Sequence, residues 1–177
     1  MRVFGWRVLP VPAPPPKAVV LVYPHTSNWD FPIGILARTV MQLRIGWVGK
    51  NTLFHWPFGA LMRALGGTSI DRSHQQGMVS QLRTEFDRHA TFYIVITPEG
   101  TRRHTEHWKS GFYHLARELE IPVGLTYIDY ARREVAIAEW MRLSGDVEKD
   151  LAHIRDVYRG HQGRFPERMG EIRFKDR

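Results

Sequence analysis

Residues 17–30 read KAVVLVYPHTSNWD: the apolar run Ala18–Tyr23 leads through Pro24 into a turn that holds His25 and, five residues later, Asp30. A Val-rich run without polar interruption is the pattern of a strand buried in a parallel sheet. His25 and Asp30 add nothing to its packing. Five helical positions would point two side chains about 140° apart, so this pair can meet only through a turn. Pro32 lacks a backbone N–H and is tolerated in a helix only in the first turn, which predicts a helix starting near Asp30. Thr26-Ser27-Asn28 would then fold His25 back over the helix start, where the positive end of the dipole favours an ionised Asp30. A carboxylate that accepts Nδ1–H fixes the imidazole tautomer and leaves Nε2 free to take a proton. His25 is thus the expected general base and Asp30 its orienting partner. Ser27, on the turn, reads as a local hydrogen-bonding residue. An isolated HxxxxD is more often a hydrogen-bonded loop histidine beside an N-capping Asp, so its neighbours must decide.

Outward from this stretch, strands alternate with helices. Residues 44–49, 68–70, 91–97 and 121–128 read as further short strands, and 133–140 as an alternating antiparallel strand at an edge. Helical periodicity covers 33–43 and 57–65. It recurs in 75–88 (Met78, Leu82, Phe86), in 109–119 (Phe112, Leu115, Ala116, Leu119) and in 146–159 (Val147, Leu151, Ile154, Tyr158), the last with Asp146 as N-cap and Gly160 as stop. The predicted fold class is α/β: one domain with a mostly parallel central sheet flanked by helices. An extended proline-rich arm over 1–16 is expected to precede a single domain over 17–177.

Composition narrows the function classes. The chain has 177 residues, 43% hydrophobic and 24% charged, and no cysteine. These values fit one globular domain and exclude a disulfide framework, a thiolate nucleophile and a Cys-based zinc site. A cytoplasmic protein is expected. Arg2, Arg7 and five prolines interrupt the first sixteen residues, so no signal-peptide core is expected there, and no apolar run approaches the ~20 residues of a spanning helix. The net charge of +7 favours phosphates, acidic proteins or an anionic membrane surface. No nucleic-acid-binding motif accompanies it, and no nucleic-acid partner is expected. His104 and His107 have helical i, i+3 spacing but no third ligand nearby, so no metal is expected.

In parallel sheets, ligands bind beyond the carboxyl ends of the strands. His25 follows one apolar strand there, and PEGTRR (98–103) follows the most apolar one, FYIVI; the two loops read as one site. With no Cys and no GxSxG elbow, a base without a protein nucleophile implies that the substrate brings its own hydroxyl or amine.

Four blocks in this order resemble the glycerolipid acyltransferases typified by lysophosphatidic acid acyltransferase. HTSNWD (25–30) is similar to the family's HxxxxD motif. GKNTLFHWPFG (49–59) with GGTSIDR (66–72) resembles its second block, PEGTR (98–102) its third and IPV (121–123) its fourth. The resemblance spans residues 18–128 and implies a glycerol-phosphate acyltransferase-like αβα fold. It further implies an O-acyltransferase that moves a fatty acyl group from an acyl-CoA or acyl-carrier-protein thioester, as donor substrate and without a cofactor, to a hydroxyl of a lysolipid acceptor. His25 would deprotonate that hydroxyl and Asp30 would stabilise the imidazolium. Lys50, Arg72 and Arg102 would hold an acceptor phosphate. Glu99 would either accept a hydrogen bond from the acceptor or hold Arg102. Gly100 would allow close backbone approach or supply an N–H to the oxyanion, and Thr101 lies with them on the substrate-binding loop.

Two departures from the family stand out. The chain opens with MRVFGWRVLPVPAPPPK where many members carry a membrane-seating helix, and TSI precedes Asp71 where many carry an apolar-proline pair. The chain is expected to be a compact form. Phe54, Trp56, Phe58, Leu61, Met62 and Leu65, with Phe4 and Trp6, divide between core packing and an interfacial face or acyl groove, so weak, reversible contact with anionic membrane is expected. The competing readings are a thioester or ester hydrolase with the same base and an inactive lipid- or carrier-binding module.

Overall fold

Residues 2–3, 5–49, 51–69 and 75–175 are described by the computed structural model. The chain runs β1 (Arg2–Val3), β2 (Trp6–Val8), β3 (Lys17–Val22), α1 (Asp30–Met41), β4 (Ile45–Gly49), α2 (Gly59–Ala64), β5 (Gly67–Ser69), α3 (Gln75–Arg88), β6 (Phe92–Ile96), α4 (Gly111–Glu118), β7 (Val123–Asp129), β8 (Glu134–Met141) and α5 (Val147–Tyr158). The strands form one sheet in the order β1-β2-β8-β7-β3-β6-β4-β5. From β7 to β5 every neighbouring pair is parallel. β3 lies inside this run with β7 on one side and β6 on the other.

The continuous apolar run of β3 follows from this central position. Val19, Leu21 and Tyr23 alternate with Ala18, Val20 and Val22, and both sets are buried. The odd set packs with Leu82 and Phe86 of α3, Phe112 and Leu115 of α4, and Leu151 and Ile154 of α5. The even set meets Ala37, Ile33 and Val40 of α1. Helices therefore cover both faces, and two apolar layers hold the central strands in register.

Three expectations are corrected. β8 pairs antiparallel with β7 but is not an edge strand, because β2 of the N-terminal arm pairs with its other side in parallel. The arm is accordingly not simply extended: it contributes β1 and β2, and Arg7 forms an ion pair with Glu134. In α5, Val147 is exposed, whereas Asp150 of the same helix is buried. Asp150 accepts hydrogen bonds from the Tyr113 hydroxyl (2.7 Å) and the Ser144 hydroxyl (2.8 Å). Burial is the largest influence on its carboxyl and raises its pKa, but these hydrogen bonds outweigh it and hold the group below the ordinary range. Asp146 caps α5 by accepting the Lys149 N–H. Among the described residues, no helix is long and apolar enough to cross a membrane.

Candidate active site

Three adjacent parallel strands end on the same edge of the sheet, and each delivers polar side chains there. His25 lies three residues past the end of β3, Glu99 three past β6, and Asp129 and Tyr130 close β7. Helix α1 starts at Asp30 with Pro32 in its first turn. Asp30 is buried. Its Oδ2 lies 3.0 Å from His25 Nδ1 and accepts the Ser27 N–H, also at 3.0 Å. Its Oδ1 accepts the Tyr130 hydroxyl at 2.7 Å. The turn is closed by the Asp30 N–H, which donates to the Ser27 carbonyl, and by the Trp29 N–H, which donates to the Ser27 hydroxyl. Ser27 is thus a turn residue with its hydroxyl engaged locally.

An ionised Asp30 can only accept, so the Nδ1 that faces it must carry the proton, and Nε2 holds the free lone pair. Burial pushes the Tyr130 phenol far above its ordinary range, and its hydrogen bond to Asp30 adds to that shift. Tyr130 therefore remains a neutral donor, and Asp30 has three donors around its two oxygens.

Glu99 sits beneath the dyad, 2% exposed. Its Oε2 accepts the His25 backbone N–H at 2.7 Å and its Oε1 the Gly170 N–H at 3.4 Å. Burial is the main cause that raises its pKa to about 7; the two N–H bonds pull it down and the Asp30 charge adds to the rise. Its visible partners are thus backbone amides, and among the described residues it forms no ion pair with Arg102. Gly100 has φ +66°, and a Cβ there would meet the Lys109 side chain at 2.8 Å, which accounts for a glycine at this turn. The Gly100 N–H donates to the Thr97 carbonyl at 3.1 Å, so that amide is spent within the turn. Thr101 accepts the Arg103 N–H at 3.2 Å. Lys50 and Arg72 lie outside the described residues. His104 donates from Nδ1 to the Met169 carbonyl at 3.0 Å.

Two hollows flank the HxxxxD turn. One, of about 370 Å³, is lined by Thr26, Ser27, Asn28 and four guanidinium groups, those of Arg102, Arg103, Arg164 and Arg168. The other, of about 520 Å³, is apolar and lined by Trp6, Val8, Ile33, Leu36, Ala37 and Val135. Trp29 and Arg164 border both.

A family model described as Acyltransferase matches residues 10–126, two thirds of the chain and all of the strands that carry His25 and Glu99. The chain belongs to the acyltransferase family. In fold it is similar to the 1-acyl-sn-glycerophosphate (LPA) acyltransferase PlsC from Thermotoga maritima, with a TM-score of 0.56 and 19% identity over 86% of this chain and 69% of that one. No curated protein matches the sequence. The family match and the shared fold bear out the resemblance carried by the four blocks. The family match supports acyl transfer as the chemistry, and the structural likeness supports the fold.

Several polar groups of the candidate site carry no motif in the sequence. Tyr130 follows a strand end as directly as His25 does, so the same edge rule applied to IDYARR (128–133) would have found it. Arg164 and Arg168 follow the last long helix in a segment without periodicity, and only their charge marks them.

Proposed function

We propose that this acyltransferase moves a fatty acyl group from an acyl-CoA or acyl-carrier-protein thioester to a hydroxyl of a lysophospholipid or related phosphorylated acceptor. The supporting observation is the 3.0 Å contact of His25 Nδ1 with a buried Asp30, set between an arginine-lined cleft and an apolar groove.

His25 Nε2 takes the acceptor hydroxyl proton as the oxygen attacks the thioester carbonyl, and Asp30 stabilises the imidazolium that forms. As the tetrahedral intermediate collapses, the C–O ester bond remains, the C–S bond breaks, and the thiolate leaves with the proton returned from His25. Tyr130 holds Asp30 against rotation. Glu99, bound to the backbone of His25, fixes the height of the imidazole above the sheet. The apolar groove suits a hydrocarbon chain, and Arg102 suits the acceptor phosphate. Trp56, Phe58 and Leu61, at and just before the start of α2, are exposed and, with the net charge of +7, suit reversible contact with the anionic inner face of a membrane.

The test is product analysis by mass spectrometry after incubation of the pure protein with a labelled acyl thioester and a panel of lysolipids, glycerol phosphate and amino-lipids. Acyl transfer predicts ester formation faster than release of free fatty acid when the right acceptor is present. Acid release that ignores every acceptor would identify a hydrolase, and no turnover of any thioester would leave a binding module. Arg102→Ala should raise the acceptor KM at least about tenfold, as expected for a lost charge-assisted hydrogen bond. An equal loss with an unphosphorylated acceptor would contradict the role of Arg102.

A further inference from the structure

Segment 159–170, beyond the residues that the family model matches, is fastened onto the catalytic turn along its length. The Tyr130 N–H donates to the Gln162 carbonyl at 2.9 Å. The Phe165 N–H donates to the Thr26 hydroxyl at 3.2 Å, and the Tyr23 hydroxyl donates to the Gly170 carbonyl at 2.9 Å. Gly170 in turn donates to Glu99. A Cβ on Gly163 would stand 2.5 Å from the Thr26 hydroxyl oxygen, so the backbone lies directly against the residue after His25. At the head of the segment, His161 Nδ1 is 2.9 Å from Asp129 Oδ2, and the His161 ring stacks on Tyr127 at 3.7 Å.

That anchoring aims two cations. The Arg164 guanidinium lies 5.7 Å from the Trp29 ring and 5.6 Å from the Phe165 ring. The Arg168 guanidinium lies 4.2 Å from the same Phe165 ring. Set over aromatic rings, both guanidinium groups are pre-oriented and can present N–H groups to an oxyanion. Both side chains are exposed and both line the cleft above Thr26, Ser27 and Asn28 with Arg102 and Arg103. Among the described residues, Arg102, Arg103 and Arg164 have no carboxylate partner, and Arg168 reaches only its neighbour Glu167, at 3.7 Å. Four guanidinium groups around one small cleft repel one another, and a dianion is the ligand that offsets this.

We propose that segment 159–170 completes the site and that Arg164 and Arg168, with Arg102 and Arg103, form a subsite for a phosphomonoester dianion. The assignment of that dianion to the acceptor headgroup rests on the acyltransferase reading. Arg164, bordering both hollows, sits where an amphiphile passes from its apolar chain to its phosphate. The subsite should favour a terminal phosphomonoester over a headgroup esterified with a cationic amine.

The experiment combines calorimetric titration of inorganic phosphate with steady-state kinetics for the parent, R164Q, R168Q, the double variant, R164K, and R44Q as a charge-matched control away from the cleft. The double variant should bind phosphate at least tenfold more weakly and show a correspondingly raised KM for a lysolipid with a terminal phosphomonoester. Its donor KM should stay within twofold, R44Q should match the parent, and R164K should recover part of the loss. Phosphate affinity equal to that of the parent would overturn the proposal, as would an effect confined to the donor KM or shared by R44Q. If no acceptor is acylated while phosphate binding still depends on Arg164 and Arg168, the anion subsite stands and the acyltransferase reading fails.

Discussion

The HxxxxD turn and the block that follows β4 both leave the carboxyl ends of parallel strands, yet they treat their side chains in opposite ways. In the turn, Thr26, Ser27 and Asp30, and against it Glu99 from the loop after β6, are polar and buried, each held by hydrogen bonds. In the other block, Trp56, Phe58 and Leu61 are apolar and exposed, Trp56 at 93%. Burying polar groups is costly unless every one is paired, and the pairing makes the turn rigid. Leaving large apolar groups in water is tolerated in a monomer but, as a cluster, marks a surface that meets something apolar. The first arrangement suits chemistry that needs fixed geometry, and the second suits contact that needs only area. Phe31 beside Asp30, Trp47 and Phe54 link them, with ring centroids 5.1 and 5.6 Å apart.

The sharpest way to break this contrast is to spoil the pairing at the turn without removing bulk. Asp30→Asn keeps the shape, but its amide group presents a donor to either His25 or the Ser27 and Tyr130 donors, which favours the wrong imidazole tautomer. Turnover should fall by at least about 10²-fold with the fold retained by circular dichroism; a loss below threefold would remove Asp30 from its role.

Glu99 gives a pH-dependent test of the same buried network. Its folded pKa of about 7 lies above the ordinary carboxyl value of 4.5, so the native state binds more protons than the unfolded one across that window. Its contribution is fully present below about pH 4.5 and is lost as pH rises through 7, by up to roughly 3 kcal/mol. In urea titrations at pH 4.5 to 7.5, Glu99→Gln should be less stable than the parent at low pH, because one amide N–H loses its acceptor, and the gap should narrow as pH rises. A gap that widens with pH would show that Glu99 is held ionised.

The smallest effects are expected in the exposed block. Trp56→Ser with Phe58→Ser should change unfolding free energy by no more than about 0.5 kcal/mol per site and leave turnover on a dispersed acceptor unchanged. Retention on anionic vesicles at low salt should drop several-fold, and retention of the parent should fall with added salt. Unchanged flotation would make these residues ordinary surface.

The legible part of this molecule was its local part. The His25–Asp30 contact followed from three short-range facts: an apolar strand, a turn, and Pro32 confined to a first helical turn. The helices around Leu82, Phe112 and Leu151 were equally plain, since each buries one periodic face. What stayed hidden depends on distant pairing. Nothing in the proline-rich arm signals that β2 covers the outer side of β8, because that contact joins residues 7–8 to residues 134–135. Val147 has the right spacing for a buried face but sits at the first residue of α5, where the helix has not yet reached the core. In sequence Glu99 reads as an acceptor-binding group or as a holder of Arg102, and only the folded chain reveals that its oxygens receive the His25 and Gly170 amides. Segment 159–170 has no helical or strand period, and its place over the turn is set by hydrogen bonds to Thr26, Glu99 and Tyr130.

The measurement that bears most directly on the central claim is acyl transfer by His25→Ala, compared with the parent on the same thioester and lysolipid, in protein verified as folded. The imidazole Nε2 is the base of this account, so ester formation should fall by at least about 10²-fold while phosphate and vesicle binding stay at parental levels. Ester formation within twofold of the parent would contradict the account, because the strand-end cluster would then position a histidine that the reaction does not use.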